Sequence, residues 1–189
     1  MKALVTGGDG FIGSHLVERL AKEGIDVSVL VRKKDNELVM HPERMVEIYS
    51  MFRKNNVNVL YGDLLDKQSL EVALRDIDVV FHLAAIARPM AIKDQEYFNV
   101  NEIGTRNLLE ACLGKKIKKI IMMSSVSAVG MSRDGKAVNE KTLCRPVDVY
   151  GESKLAAEKV VKEFNKKLNI VVLRPPMIYG PRDYEMLRL

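Results

Sequence analysis

One stretch limits what this chain can fold into more than any other: the apolar run Ala3-Leu4-Val5 followed by Thr6-Gly7-Gly8-Asp9-Gly10-Phe11-Ile12-Gly13. The run reads as a buried strand. From Phe11 to Lys22 the apolar residues Phe11, Ile12, Leu16, Val17 and Leu20 recur at helical spacing. A glycine loop between a strand and a helix is the setting in which such a motif binds phosphate. Gly7 turns the chain off the strand, Gly10 lets the backbone approach a pyrophosphate, and Gly13 lets the helix pack closely on the sheet. The helix N-terminus then offers free N–H groups and the positive end of its dipole to an anion. The spacing is Gly-x-x-Gly-x-x-Gly rather than the commonest Gly-x-Gly-x-x-Gly fingerprint. Taken by itself, the loop can equally be a tight turn with no ligand.

The rest of the chain repeats the alternation of strand and helix. Gly24 ends the first helix, and Asp26 to Val31 is a β-branched second strand tipped by Arg32-Lys33-Lys34. Pro42 starts a helix carrying Met45, Val46, Ile48, Tyr49 and Phe52. Val57 to Tyr61 is a third strand ending at Gly62-Asp63, and a short helix covers about Lys67 to Arg75. Asp78 to His82 is a fourth strand that breaks into Leu83-Ala84-Ala85. A long helix is expected over about 95–113, a fifth strand from Ile117 to Met123 ending in Ser124-Ser125, a second long helix over about 149–168, and a sixth strand from Ile170 to Leu173. Such alternation implies the α/β class with a parallel, doubly wound sheet of Rossmann type. Ligands on these sheets bind beyond the carboxyl ends of the strands, where the glycine and polar residues fall.

Length and composition fit one domain: 189 residues, 47% of them hydrophobic, with a net charge of +5. No apolar run is long enough to span a membrane, and the chain runs straight into its first strand, so a cytoplasmic protein without a signal peptide is expected. Cys112 and Cys144 lie far apart and lack a metal-ligand pattern; neither a disulfide nor a metal site is expected. The cluster Lys115-Lys116-Ile117-Lys118-Lys119 has no interleaved aromatics, so it reads as a solvated face rather than a nucleic-acid surface.

A second constellation is Tyr150-Gly151-Glu152-Ser153-Lys154. Positions i and i+4 share a helix face, and an ammonium beside a phenol favours phenolate. Lowering a tyrosine from about 10 by three units takes roughly 4 kcal/mol of preferential stabilisation of the anion. Ser125, at the end of the fifth strand, is placed to hold a substrate oxygen beside that phenol, which suits proton transfer to or from a hydroxyl or carbonyl. An ordinary surface helix bearing a Tyr and a Lys is the plain alternative.

Together with Gly62-Asp63-Leu64, His82-Leu83-Ala84-Ala85, Asn101 to Asn107 and Leu173 to Pro181, these motifs resemble the extended short-chain dehydrogenase/reductases, the NAD(P)-dependent epimerase/dehydratase superfamily. They follow that family's order over nearly the whole chain. The resemblance implies that Tyr150 is the acid/base, that Lys154 binds the nicotinamide ribose and lowers the tyrosine pKa, and that Ser125 rather than Ser124 holds the reacting oxygen. It makes Gly7, Gly10, Phe11, Ile12 and Gly13 the cofactor-binding loop, brings Asp63 and Leu64 to the adenine, and lines the cofactor with Leu83, Ala84 and Ala85. Asn101 would support the loop after the fourth strand or a structural water, and Pro175 would lie near the nicotinamide. Plainer roles stand beside these: Asp63 as a turn residue or helix cap, His82 as a strand-end histidine, Tyr179 as packing or a substrate contact, and Met122 and Met123 as sheet core.

The tip of the second strand departs from the NAD pattern, because Val31-Arg32-Lys33 offers no acid before Asp35. Arg32 would welcome a 2′-phosphate, so the cofactor reading is NAD(P), leaning to NADP. The family carries a further region that closes over the substrate, and residues 175–189 read as the start of a truncated one. The leading expectation is an epimerase/dehydratase-like enzyme acting on a small-molecule substrate, a nucleotide sugar by resemblance. The alternatives are an NADPH-dependent reductase of a small ketone, aldehyde or sterol-like alcohol, and a non-catalytic dinucleotide sensor. A homodimer through the two long helices is also an expectation of the resemblance.

Overall fold

The computed structural model describes residues 1–32, 42–87, 93–132, 135 and 137–183. In chain order the elements are β1 (Lys2–Thr6), α1 (Phe11–Lys22), β2 (Asp26–Val31), α2 (Pro42–Lys54), β3 (Asn58–Tyr61), α3 (Lys67–Ala73), β4 (Val79–His82), α4 (Asp94–Phe98), α5 (Gly104–Cys112), β5 (Lys119–Met123), α6 (Val149–Phe164) and β6 (Ile170–Leu173). The six strands form one sheet in the order β3-β2-β1-β4-β5-β6, with every neighbouring pair parallel. The doubly wound sheet expected from the alternation is the observed fold.

Strand periodicity sends successive side chains to opposite faces. On β1, Leu4 joins a core with Val80, Ile120 and Met122, covered by α3, α5 and α6. Val5 joins a second core with Val27 and Val29, covered by α1 and α2. Each such side chain contributes about 1.5–3 kcal/mol on burial. Met122 is core, as expected. On the edge strand β6, Val171 and Leu173 remain 36% and 44% exposed.

The helix expected over 95–113 is not uniform. Asn99–Ile103 form a π-helical turn between α4 and α5. A π-turn adds a residue to the helix and commonly marks a functional position; here it carries Asn101, whose side chain is bonded elsewhere. The helix expected over 149–168 ends at Phe164, whose carbonyl accepts from Lys167 N and Leu168 N in a closing turn.

Arg106 of α5 grips Glu163 of α6 through two hydrogen bonds of 2.6 and 2.9 Å, so ion pairing occupies an outward face of the helices expected to dimerise. The lysine cluster is likewise engaged locally, Lys115 with Glu71 at 2.6 Å and Lys118 with Asp78 at 2.8 Å. Both cysteines are free, and burial pushes the Cys112 thiol up to about 12. Among the described residues no helix is long and apolar enough to cross a membrane, and no group of three His, Cys, Asp or Glu side chains is placed to hold a metal.

The chain after β6 returns over the first helices. Pro181 O lies 2.8 Å from His15 Nε2, and Arg182 pairs with Glu18 of α1 at 2.6 Å and Glu47 of α2 at 2.9 Å. Residues 175–183 thus begin as a segment docked on the Rossmann layer; 184–189 lie outside the described residues.

Candidate active site

A pocket opens at the carboxyl ends of β1 to β4. Gly7, Gly10, Arg32, Asp63, Leu64, Leu83, Ala84 and Ala85 line it, as the motifs predict. Thr6, Asp9, Val31 and Gly62 of the same motifs also line it, with Leu30, Ile86 and Val100, which were not singled out from the sequence. Phe11, Ile12 and Gly13 form the first turn of α1 behind Gly10. Arg32 is exposed at the end of β2, and Lys33, Lys34 and Asp35 lie outside the described residues.

The loop fits a phosphate-bearing ligand. Gly7 has φ +70°, and a Cβ there would lie 2.8 Å from Ala84 N. A Cβ on Gly13 would meet Gly7 O at 2.0 Å, so only glycine lets α1 approach the loop this closely. Gly10 is the N-cap of α1 with no side-chain cap, and no acid stands in the first turn. No side-chain cap or first-turn acid takes up the dipole end and its backbone N–H groups, an arrangement that suits an anion. Asp63 has a turn role as well, since its Oδ1 accepts from Leu65 N at 2.8 Å while it lines the pocket. Asp66, overlooked in the sequence, is the residue that caps α3.

Behind the pocket lies a neutral chain of hydrogen bonds. Ala84 N donates to Thr6 Oγ1 at 3.2 Å, and Thr6 Oγ1 lies 2.8 Å from His82 Nδ1. His82 Nε2 lies 3.0 Å from Thr105 Oγ1, which donates to Asn101 O at 2.5 Å. Since Thr105 gives its proton to Asn101, its oxygen accepts from His82 Nε2–H, which leaves Nδ1 to accept from Thr6. Complete burial pushes the His82 imidazole down to about 3, and the nearby Lys154 charge adds to the drop. His82 is thus a strand-end anchor. Asn101 is 1% exposed, and its amide accepts from Ile86 N at 2.8 Å and donates to Ile86 O and Ser153 Oγ, both at 2.9 Å. It holds the loop after β4 and is not part of the pocket lining. Ser153 donates in turn to Tyr150 O at 2.7 Å, a tie that neither residue's motif signalled.

Tyr150 stands in the first turn of α6, capped by Asp148, whose Oδ1 accepts from Gly151 N at 2.6 Å. Gly151 packs on the short 3-10 turn Val126–Ala128; a Cβ on it would lie 2.4 Å from Ser127 O. This contact brings Ser125 close to the Tyr150 hydroxyl, near enough to favour its phenolate against burial. Ser125 Oγ also accepts from Ser127 N at 3.1 Å, and Val126 N donates to Pro175 O at 3.1 Å, which ties the end of β6 to the same turn. Ser124, by contrast, is buried and donates to Glu158 Oε1 at 2.6 Å.

Burial pushes the Tyr150 phenol above its ordinary value, Ser125 works against that rise, and the Asp148 carboxylate adds to it. The Lys154 ammonium donates instead to Met123 O at 2.7 Å. The i, i+4 spacing placed both groups on one helix face but left their mutual approach to the packing at the end of β5. Burial pushes Lys154 down to about 8, opposed by the charge of Glu158. Glu158 and Arg174, neither singled out from the sequence, form a two-point ion pair, Nε–Oε1 2.8 Å and Nη2–Oε2 2.5 Å.

The glycine-loop pocket and the Ser125–Tyr150–Lys154 group thus share one end of one parallel sheet. Residues 3–188 match the family described as NAD dependent epimerase/dehydratase. The chain belongs to that family. Among epimerase/dehydratase relatives, it is 32% identical over 191 residues to the sterol-4-alpha-carboxylate 3-dehydrogenase, decarboxylating, of Mus musculus, covering 98% of this chain and 48% of that protein. It is 33% identical over 199 residues to the dTDP-D-glucose 4,6-dehydratase of Dictyostelium discoideum, covering 97% and 45%. The solved structure of UDP-glucuronic acid 4-epimerase from Bacillus cereus in complex with NAD superposes with a TM-score of 0.83 at 35% identity, covering 97% of this chain and 58% of that one. The chain spans about half the length of the curated relatives it matches.

Proposed function

We propose that this chain is the dinucleotide-binding part of an NAD(P)-dependent oxidoreductase of the epimerase/dehydratase kind, acting on the carbinol carbon of a nucleotide sugar. The observation that carries the reading is that Ser125 and the Tyr150 phenol come together at the same sheet end as the glycine-loop pocket. The substrate class rests on two relatives named for UDP-glucuronic acid and dTDP-D-glucose.

Gly7, Gly10 and the first-turn N–H groups of Phe11, Ile12 and Gly13 hold the pyrophosphate. Asp63 and Leu64 meet the adenine end, and Leu83, Ala84 and Ala85 wall the nicotinamide side, with Pro175 beyond β6. Lys154 binds the nicotinamide ribose, and Asn101 holds the loop that carries the wall. The bound cofactor supplies the hydride acceptor and donor. Ser125 holds the substrate oxygen, and Tyr150 takes the proton from it or returns it. Burial raises the phenol pKa, so Tyr150 rests in its acid form, ready to return a proton to the substrate oxygen; to take one in the oxidative direction it must first release its own.

A second reading, a dehydrogenase or reductase of a sterol-like alcohol, is favoured by the sterol dehydrogenase relative and by Arg32 at the pocket rim.

The test has two parts. Purified protein is denatured, and any nucleotide released is identified; NAD or NADP is then titrated into protein freed of it. Tight NAD supports the redox-neutral epimerase reading, NADPH binding the reductase reading, and binding of neither overturns the cofactor assignment. In the second part, Tyr150→Phe binds cofactor as the parent does, while substrate-dependent hydride transfer falls by about 100-fold or more. Undiminished transfer in that variant overturns the role of Tyr150.

A further inference from the structure

α6 carries ionisable residues at four-residue steps, Tyr150, Lys154, Glu158 and the exposed Lys162, the first three on the face turned to the end of the sheet. The function proposed above uses the first two and leaves Glu158 without a role. Glu158 is 5% exposed, and three donors fix its carboxylate: Ser124 Oγ at 2.6 Å, Arg174 Nε at 2.8 Å and Arg174 Nη2 at 2.5 Å. Those donors come from the ends of β5 and β6, so the carboxylate cannot swing to solvent. The Lys154 ammonium lies one helical turn away, 5% exposed, bonded to a neutral carbonyl of β5.

We propose that Glu158 is the positioning residue that keeps Lys154 an ammonium: its carboxylate, clamped by Ser124 and Arg174, is the fixed counter-charge for the buried lysine. The significance of this role rests on the reading of Lys154 as the ribose-binding lysine. A buried amine without a counter-charge sheds its proton, because the low-dielectric surroundings penalise the charged form. Of the carboxylates on α6, its cap and the elements packed on it, Asp94, Glu96, Asp148, Glu152 and Glu163 are exposed and Glu102 and Glu110 half-buried, so Glu158 is the one buried with Lys154. β4 offers His82, a neutral imidazole; β5 offers the Met123 carbonyl; α6 offers the protonated phenol of Tyr150; and the end of β6 offers Arg174, a cation. Glu158 is also the one influence that raises the Lys154 pKa against its burial. The carboxylate is itself held below its usual range by the Arg174 and Ser124 hydrogen bonds against desolvation, so it is ionised wherever Lys154 titrates.

The experiment reads the titration of Lys154 by lysine-selective NMR in the ligand-free full chain, its signal identified by loss in Lys154→Met. Glu158→Gln lowers the Lys154 pKa by about one unit or more, while Glu158→Asp, which keeps the charge, restores most of it. Because Glu158→Gln leaves the Arg174 cation without its partner, the paired variant Glu158→Gln/Arg174→Gln is measured as well, and a smaller shift in the same downward direction is expected, since the neighbouring cation leaves with the carboxylate. A Lys154 titration unchanged from the parent in the folded variants overturns the proposal. The readout needs no cofactor, so failure of the parent chain to bind NAD or NADP would overturn the function proposed above while leaving this result standing.

Discussion

Arg32 shows how far a single residue can be read. It is exposed at the end of β2 and lines the pocket, where a 2′-phosphate on the adenosine ribose would meet its guanidinium. A hydrogen bond to a charged group is worth about 1.5–3 kcal/mol, less where water competes. Replacing Arg32 with alanine is therefore expected to weaken NADPH binding by about tenfold and NADH binding by less than about twofold, as measured by calorimetric titration. Equal losses for both nucleotides would refute the phosphate role. The charge-bearing residue is plain in the sequence. Its access to the pocket follows from β2 lying beside β1 in the sheet.

Gly151 belongs to the scale of elements, because it decides how closely α6 approaches the turn that carries Ser125. Helix propensity alone would make Gly151→Ala stabilising by about 1 kcal/mol. The contact says the reverse, since the new Cβ would stand 2.4 Å from Ser127 O, a backbone atom that cannot rotate away. Overpacking of this kind costs about 1–3 kcal/mol, so urea unfolding of Gly151→Ala is expected to show a net loss of stability. A shift of the 3-10 turn also moves Ser125 away from Tyr150, which takes away the influence holding the phenol pKa down. A variant as stable as the parent would show that this interface has slack. The π-turn at Asn99–Ile103 acts at the same scale: it turns Asn101 to the Ile86 loop and to Ser153, linking three elements around one amide.

Across the whole molecule, stability is linked to pH through His82, where β1, β4 and the π-turn meet. Its imidazole is pushed down to about 3 in the folded chain from an ordinary 6.5. Above pH 6.5 neither state binds the proton and its contribution is fully present. As pH falls below 6.5 the unfolded chain takes up a proton that the folded chain refuses, and stability drops by up to about 1.4 kcal/mol per pH unit. Chemical denaturation at pH 6.5 and pH 5 is expected to differ by about 2 kcal/mol, before the carboxylates near Glu18 and Glu158 begin to contribute. A His82→Gln variant should lose most of that slope. An unchanged slope would place the proton uptake elsewhere.

The sequence by itself determined the order of the six strands and the helices between them, because burial of alternate strand residues and of helical stripes is written in local periodicity. It determined the glycine loop for the same reason: a missing Cβ is a local property. It also singled out Ser125, Tyr150 and Lys154 as candidates, since they fall in a local motif and at a strand end. Only the tertiary structure decided what those groups do to one another. Whether Lys154 bonds a carbonyl or acts on the phenol depends on how far α6 stands from β5. Whether His82 is a base or an anchor depends on hydroxyls arriving from β1 and α5, and the charge of Lys154 depends on Glu158 meeting Arg174 from β6. Those partners lie many residues apart, so spacing along the chain carries no record of them; they meet because parallel strands bring their carboxyl ends to one edge, where burial raises the cost of every unpaired charge.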